Sequence, residues 1–135
     1  MNRVTLVLAT SIILLLFFTG CDKYHTNRYI GDWDFVTIKH DTIKSDTIYY
    51  SGKISLGNYE NALIIQYTKD DEIAATLIEN RDIVIPKYNC AKGVCTHGKF
   101  EEKNKMNLSF GWTYGGGKSW SHNIVGTKKK KGGKK

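Results

Sequence analysis

From Tyr29 onward, large apolar residues recur at every second position in short runs separated by polar turn residues. A period of two places alternate side chains on opposite faces of a pleated strand, so the pattern predicts strands and no helix. Trp33, Phe35 and Thr37 alternate with Asp34, Val36 and Ile38, giving a first strand over Asp32–His40. Asp46–Leu56 carries Ile48, Tyr50, Ile54 and Leu56, with Gly52 as a bend or bulge. Ala62–Thr68 presents Leu63, Ile65 and Tyr67 on one face. After the polar Lys69–Glu72 turn, Ile73, Ala75 and Leu77 do the same. A short run at Ile83–Ile85 ends at Pro86, and Gly98–Glu102 forms another. Met106, Leu108, Phe110, Trp112 and Tyr114 make the cleanest alternation in the chain. Gly115–Gly117 breaks it, and Trp120, His122, Ile124 and Gly126 form a last strand.

Connections this short force neighbouring strands to be antiparallel, because a parallel pair needs a crossover of about a dozen residues or more. An open sheet would expose two unpaired edges, so closure is favoured. The predicted fold is all-β: a small antiparallel up-and-down β-barrel of about eight strands over residues 29–127. A two-sheet β-sandwich is the alternative. A helical reading of Ala62–Ile78 fails on its β-branched content and the polar turn in its middle.

Ahead of the strands, Val4–Phe18 is apolar apart from Thr5, Thr10 and Ser11, and Met1-Asn2-Arg3 is a short basic start. As a helix this run would cover about 22 Å of a hydrocarbon core about 30 Å thick. That is short for a membrane span and suits the apolar segment of a cleavable export signal. The small pair Thr19-Gly20 before Cys21 resembles the lipobox of bacterial lipoproteins, with Phe18 where leucine is usual. The resemblance implies cleavage after residue 20, a lipidated Cys21 as first mature residue, and acyl chains such as palmitate as the anchor. Two or three chains are needed for firm attachment, since one holds only marginally. An ordinary secretory signal and an uncleaved anchor are the rival readings. Residues 1–20 are thus expected to be a lipoprotein signal peptide and 21–28 a polar tether.

The formal charge of +7 is unevenly placed. Arg3 lies in the leader and six lysines lie within 128–135, so residues 21–127 hold 13 basic and 13 acidic side chains. A balanced body lacks the basic, aromatic-laced face that nucleic acid requires, and no nucleic acid partner is expected. Residues 128–135 read as a disordered basic tail. With Cys21 lipidated, Cys90 and Cys95 remain as a pair in an oxidising compartment, expected to form a disulfide. Closing so short a loop stabilises by about 2 kcal/mol in the chain-entropy model. A zinc site on Cys90, Cys95 and His97 lacks enough further ligands, and no metal or cofactor is expected.

Gly31-Asp32-Trp33 at the head of the first strand is a G-x-W motif, and it looks like the start of lipocalins and related calycin barrels. There the glycine permits the bend into the barrel and the tryptophan plugs its closed end. With the lipobox and the glycine-rich final hairpin, the chain is similar to small lipocalin-like lipoproteins of Gram-negative bacteria. The resemblance implies a cell-envelope location, tethered to a membrane at its periplasmic face or at the cell surface, with the outer membrane favoured. Lipocalins usually pack an arginine from the last strand over that tryptophan; here only Lys128 or Lys129 is available.

No catalytic constellation emerges. His25, His40, His97 and His122 are isolated along the chain. Gly117-Lys118-Ser119 lacks the upstream glycine of a phosphate loop, since Trp112 stands in that place and a strand follows. Asp70, Asp71 and Glu72 do not make a calcium cage. The aromatics Trp33, Phe35, Tyr67, Phe110, Trp112 and Trp120 are core if they all face inward, or the lining of a ligand site at an open end. The expected function is a non-enzymatic, membrane-anchored barrel that binds a small hydrophobic ligand or an envelope partner. The alternatives are a structural or interaction lipoprotein with a filled barrel, and an inhibitor or adhesin acting through residues 90–95.

Overall fold

The computed structural model describes residues 25–86, 96–113, 116 and 118–132. Within them a 3-10 turn at Thr26–Arg28 leads into β1 (Gly31–Asp41), β2 (Ser45–Leu56), β3 (Ala62–Gln66) and β4 (Glu72–Ile78). β5 (Asp82–Val84), β6 (His97–Glu102), β7 (Lys105–Thr113) and β8 (Ser119–Lys128) follow. Each strand pairs antiparallel with the next, and β8 returns to pair with β1, so one ladder closes into an eight-stranded up-and-down barrel. A sandwich would need two separate sheets, and the continuous β1–β8 ladder removes that alternative. The closing pair runs from Trp33↔Lys128 to Asp41↔Trp120. Among the described residues the shortest seam is β5–β6, with Asp82↔Lys99 and Ile83↔Gly98 in register.

The alternation seen along the chain is the alternation into and out of this barrel. Trp33, Phe35 and Thr37 of β1 are buried, as are Leu63 and Ile65 of β3 and Ala75 and Leu77 of β4. Met106, Leu108 and Phe110 of β7 and Ile124 of β8 complete the core around them. The register runs unbroken through Gly52, so no bulge forms there; the irregularity lies between Phe100 and Glu102 of β6 instead.

The end at which the chain enters is closed. Gly31 adopts φ +135°, a conformation that glycine takes readily and other residues rarely, and this turns the chain from the 3-10 segment into β1. Below the strands, Tyr29 stacks on Phe100 with ring centroids 3.7 Å apart, and its hydroxyl donates to Asn80 O at 2.5 Å. Trp33 lies within this layer, its indole N–H donating to Tyr29 O at 2.8 Å. Buried Thr26 donates to Glu60 O at 3.3 Å, so the last part of the expected tether is a structural plug.

The other end of the chain departs from expectation as well. Lys128 is the last residue of β8 and pairs with Trp33, while the Lys129 N–H donates to Asp32 O at 2.9 Å. Net charge suggested a free tail from residue 128, but backbone pairing holds the first two lysines on the barrel. The Lys128 ammonium also donates to Arg28 O at 2.7 Å, bracing the 3-10 turn against the last strand. Residues 1–24, including Cys21, and the pair Cys90 and Cys95 lie outside the described residues.

Candidate functional site

Strand direction decides which level of the barrel each inward side chain occupies. β1 climbs from the closed end at Trp33 to the far rim at Asp41, and β8 descends from Ser119 at that rim to Lys128. Low inward positions therefore fill the closed end with Trp33, Phe35, Phe100, Met106 and Ile54, all nearly inaccessible. High inward positions do not fill the far end. A pocket of about 480 Å3 remains there, which is within the usual range for small-molecule sites.

Four rings, three of them on two strands and one just past a third, form the pocket's aromatic side. Tyr67 follows β3, Phe110 is on β7, and Trp120 and His122 are on β8. They meet edge to face: Phe110–Trp120 centroids are 6.1 Å apart at 86°, and Tyr67–Phe110 are 6.2 Å apart at 84°. Such geometry sets the positive edge of one ring against the negative face of the next. Ile73 and Pro86 add apolar surface, and Asp71 and Glu72 form a polar wall.

That wall is tied to the barrel interior. Lys39 and His122 are register partners across the β1–β8 seam. The Lys39 ammonium lies 2.5 Å from Asp71 Oδ2, which also accepts from the Thr68 hydroxyl at 2.5 Å. Thr68 Oγ1 in turn accepts the Asp71 N–H at 3.0 Å, so the tight turn itself aims the carboxylate inward. Burial alone would raise the Asp71 pKa, but the Lys39 and Thr68 hydrogen bonds outweigh it and hold the group below its ordinary value. His122 Nδ1 lies 3.0 Å from the Tyr67 hydroxyl. Burial pushes the His122 pKa down, the Lys39 charge pushes it further, and Asp71 only partly opposes them. This shift favours the neutral imidazole, which accepts one hydrogen bond and donates another.

This arrangement has a consequence for stability. With its folded pKa depressed, His122 takes a proton in the unfolded chain before it does so in the barrel. Stability should then fall as pH drops below about 6.5 toward the depressed folded value. Chemical denaturation from about pH 7.5 to about 5.5 should show this decline in the native chain and a flatter profile in His122→Phe. The same slope in both would mean that another group carries it.

Of the six aromatics singled out along the chain, the structure brings Tyr67, Phe110 and Trp120 to the pocket and places Trp33 and Phe35 in the closed half. Trp112 is the register partner of Trp120 at the rim and is half-buried. Sequence reading missed Lys39, Asp71 and His122. Parity was the available signal: Lys39 shares the inward face of Trp33, Phe35 and Thr37, and His122 that of Trp120 and Ile124. The interior also buries Thr37, whose hydroxyl has no hydrogen-bond partner among the described residues. Comparison with protein-family models, with curated proteins and with solved structures finds no match for this chain.

Proposed function

We propose that this protein is a non-enzymatic, lipid-anchored barrel of the bacterial cell envelope that holds a small, largely apolar molecule at its open end. The carrying observation is the asymmetry of the interior: one half is packed solid around Trp33, and the other opens into an aromatic-lined pocket. The rings offer flat apolar surface, while neutral His122, the Tyr67 hydroxyl and the Lys39–Asp71 pair offer polar contacts on one side. A molecule with an apolar body and a single polar end matches that division. The anchor rests on the Cys21 junction described above, and in this reading the lipocalin-like resemblance extends to use of the barrel mouth.

Trp120 makes the test direct, because it lies in the pocket while Trp33 is buried far from it. Tryptophan emission should respond to saturable binding when the protein is titrated with fatty acids, sterols and haem. Trp120→Ala should weaken the affinity by about tenfold or more, as loss of an aromatic anchor typically does. Silence across the whole panel, or binding that Trp120→Ala leaves unchanged, would sink the proposal. A pocket of this volume also argues against the filled-barrel alternative.

A further inference from the structure

The closed end carries a second concavity, of about 740 Å3, with different chemistry. Arg28 from the 3-10 turn, Lys103 from the β6–β7 turn, and Lys128, Lys129 and Lys130 at the end of β8 surround it. Asp34 is the acid among the lining side chains. Backbone bonds hold this geometry, since the Lys128 N–H donates to Asn104 O at 2.8 Å and the Lys129 N–H to Asp32 O at 2.9 Å. Two of the cations are engaged: Lys128 with Arg28 O, and Lys129 with the Asp34 carboxylate at 3.3 Å. Among the described residues, the Arg28, Lys103 and Lys130 side chains form no ion pair.

The cations here are crowded beyond their compensation. Burial lowers the Lys128 pKa, and the nearby charge of Lys131 lowers it further. Residues 21–127 are balanced in charge, and Lys128, Lys129, Lys130 and Lys131 follow them at this end. Glu60 and Glu79 on neighbouring turns, and Glu102 at the end of β6, keep the wider surface from being uniformly basic. The attraction is therefore local to the cleft, as in a site, and not spread over the face.

We infer that this cleft binds a phosphate-bearing anion, supplied by an acidic phospholipid headgroup or by a free phosphate compound. Arg28 offers a planar fork to two phosphate oxygens and the lysines offer point charges around it. An anion there would also relieve the repulsion between Lys128 and Lys131. The chain enters this end of the barrel from His25, so a lipid on Cys21 would hold His25 within about 15 Å of the bilayer and turn this end of the barrel toward it. The headgroup source rests on the anchored reading proposed above, whereas the site itself does not. Neither depends on the pocket at the other end being occupied.

Sparse amine acylation of the full chain, read by mass spectrometry residue by residue, tests the inference. The probes are inorganic phosphate, phosphatidylcholine vesicles, and the same vesicles containing phosphatidylglycerol. Lys103, Lys129 and Lys130 should become several-fold less reactive, while Lys44 and Lys118 at the opposite end should not change. Protection by inorganic phosphate alone would assign a free phosphate compound; protection only with phosphatidylglycerol would assign the headgroup. Protection should vanish at about 0.5 M salt, where screening lengths fall to a few Å. Lys103→Gln combined with Lys130→Gln alters only exposed side chains, so the barrel should persist, yet protection at Lys129 should be lost. Unchanged reactivity with inorganic phosphate and with the phosphatidylglycerol vesicles, equal protection at Lys44 and Lys118, or protection that survives the double substitution would overturn the site.

Discussion

Trp33→Ala should destabilise the protein by about 3–5 kcal/mol, the range for deleting a large buried aromatic. The indole is wholly inaccessible, lies 6.3 Å from the Phe35 ring centroid and 5.9 Å from that of Phe100, and donates to Tyr29 O. Its removal would leave a void between the plug and the strands and strip the 3-10 turn of a tie to β1. Because small domains are stable by about 5–15 kcal/mol in all, such a loss takes a large share of the total. Trp33→Phe keeps much of the ring but forfeits the N–H donor, leaving Tyr29 O short of a partner. Its cost should be smaller, about 1–3 kcal/mol. Urea denaturation of both variants checks the ranking. A Trp33→Ala loss below about 1 kcal/mol would show that the closed end does not depend on this side chain.

Gly52→Ala should be nearly as damaging, for the opposite reason. A methyl group at that position would lie 2.0 Å from the carbonyl oxygen of Gln66 and 2.9 Å from the Tyr50 ring. Gln66 O belongs to the backbone of β3, which pairs with β2 from Lys53 onward, so it cannot rotate aside. Relief requires that the two strands separate, at a cost of about 3 kcal/mol or more. Gly126 is the control. A methyl there would meet Met106 Cγ at 2.7 Å and the Phe35 ring at 3.0 Å, both side-chain atoms. Methionine is flexible and can yield, so Gly126→Ala should cost less than Gly52→Ala. Thermal unfolding of the pair checks the order, and the reverse order would contradict the contacts described here.

The two glycines also show where sequence reading stops. Gly52 interrupts an alternating run, and interruption suggests a bulge. The structure keeps the register intact and uses the missing side chain to admit a neighbouring backbone. Nothing local distinguishes those two outcomes, because the neighbour is Gln66, on another strand. Lys128 shows the same limit. Six lysines in eight residues read as a solvated tail, yet the first of them ends β8 because Asn104 O and Trp33 lie opposite it.

Strand positions were legible because pleating is a local property. Inward and outward alternation follows from backbone geometry alone, and short polar connections leave antiparallel pairing as the available route. The number of strands and their approximate limits follow from these two facts, as does the placement of Trp33, Phe35, Met106 and Leu108 inside. Closure was favoured by the cost of open edges, and the β1–β8 pairing decided it against a sandwich. Only the tertiary structure decided which inward side chains share a level. Lys39, Asp71, Tyr67 and His122 come from β1, the β3–β4 turn and β8, and they meet because closing the ring staggers each strand against the next. That stagger is a property of the whole barrel, so it separates the packed end from the open one without leaving a mark on any single segment.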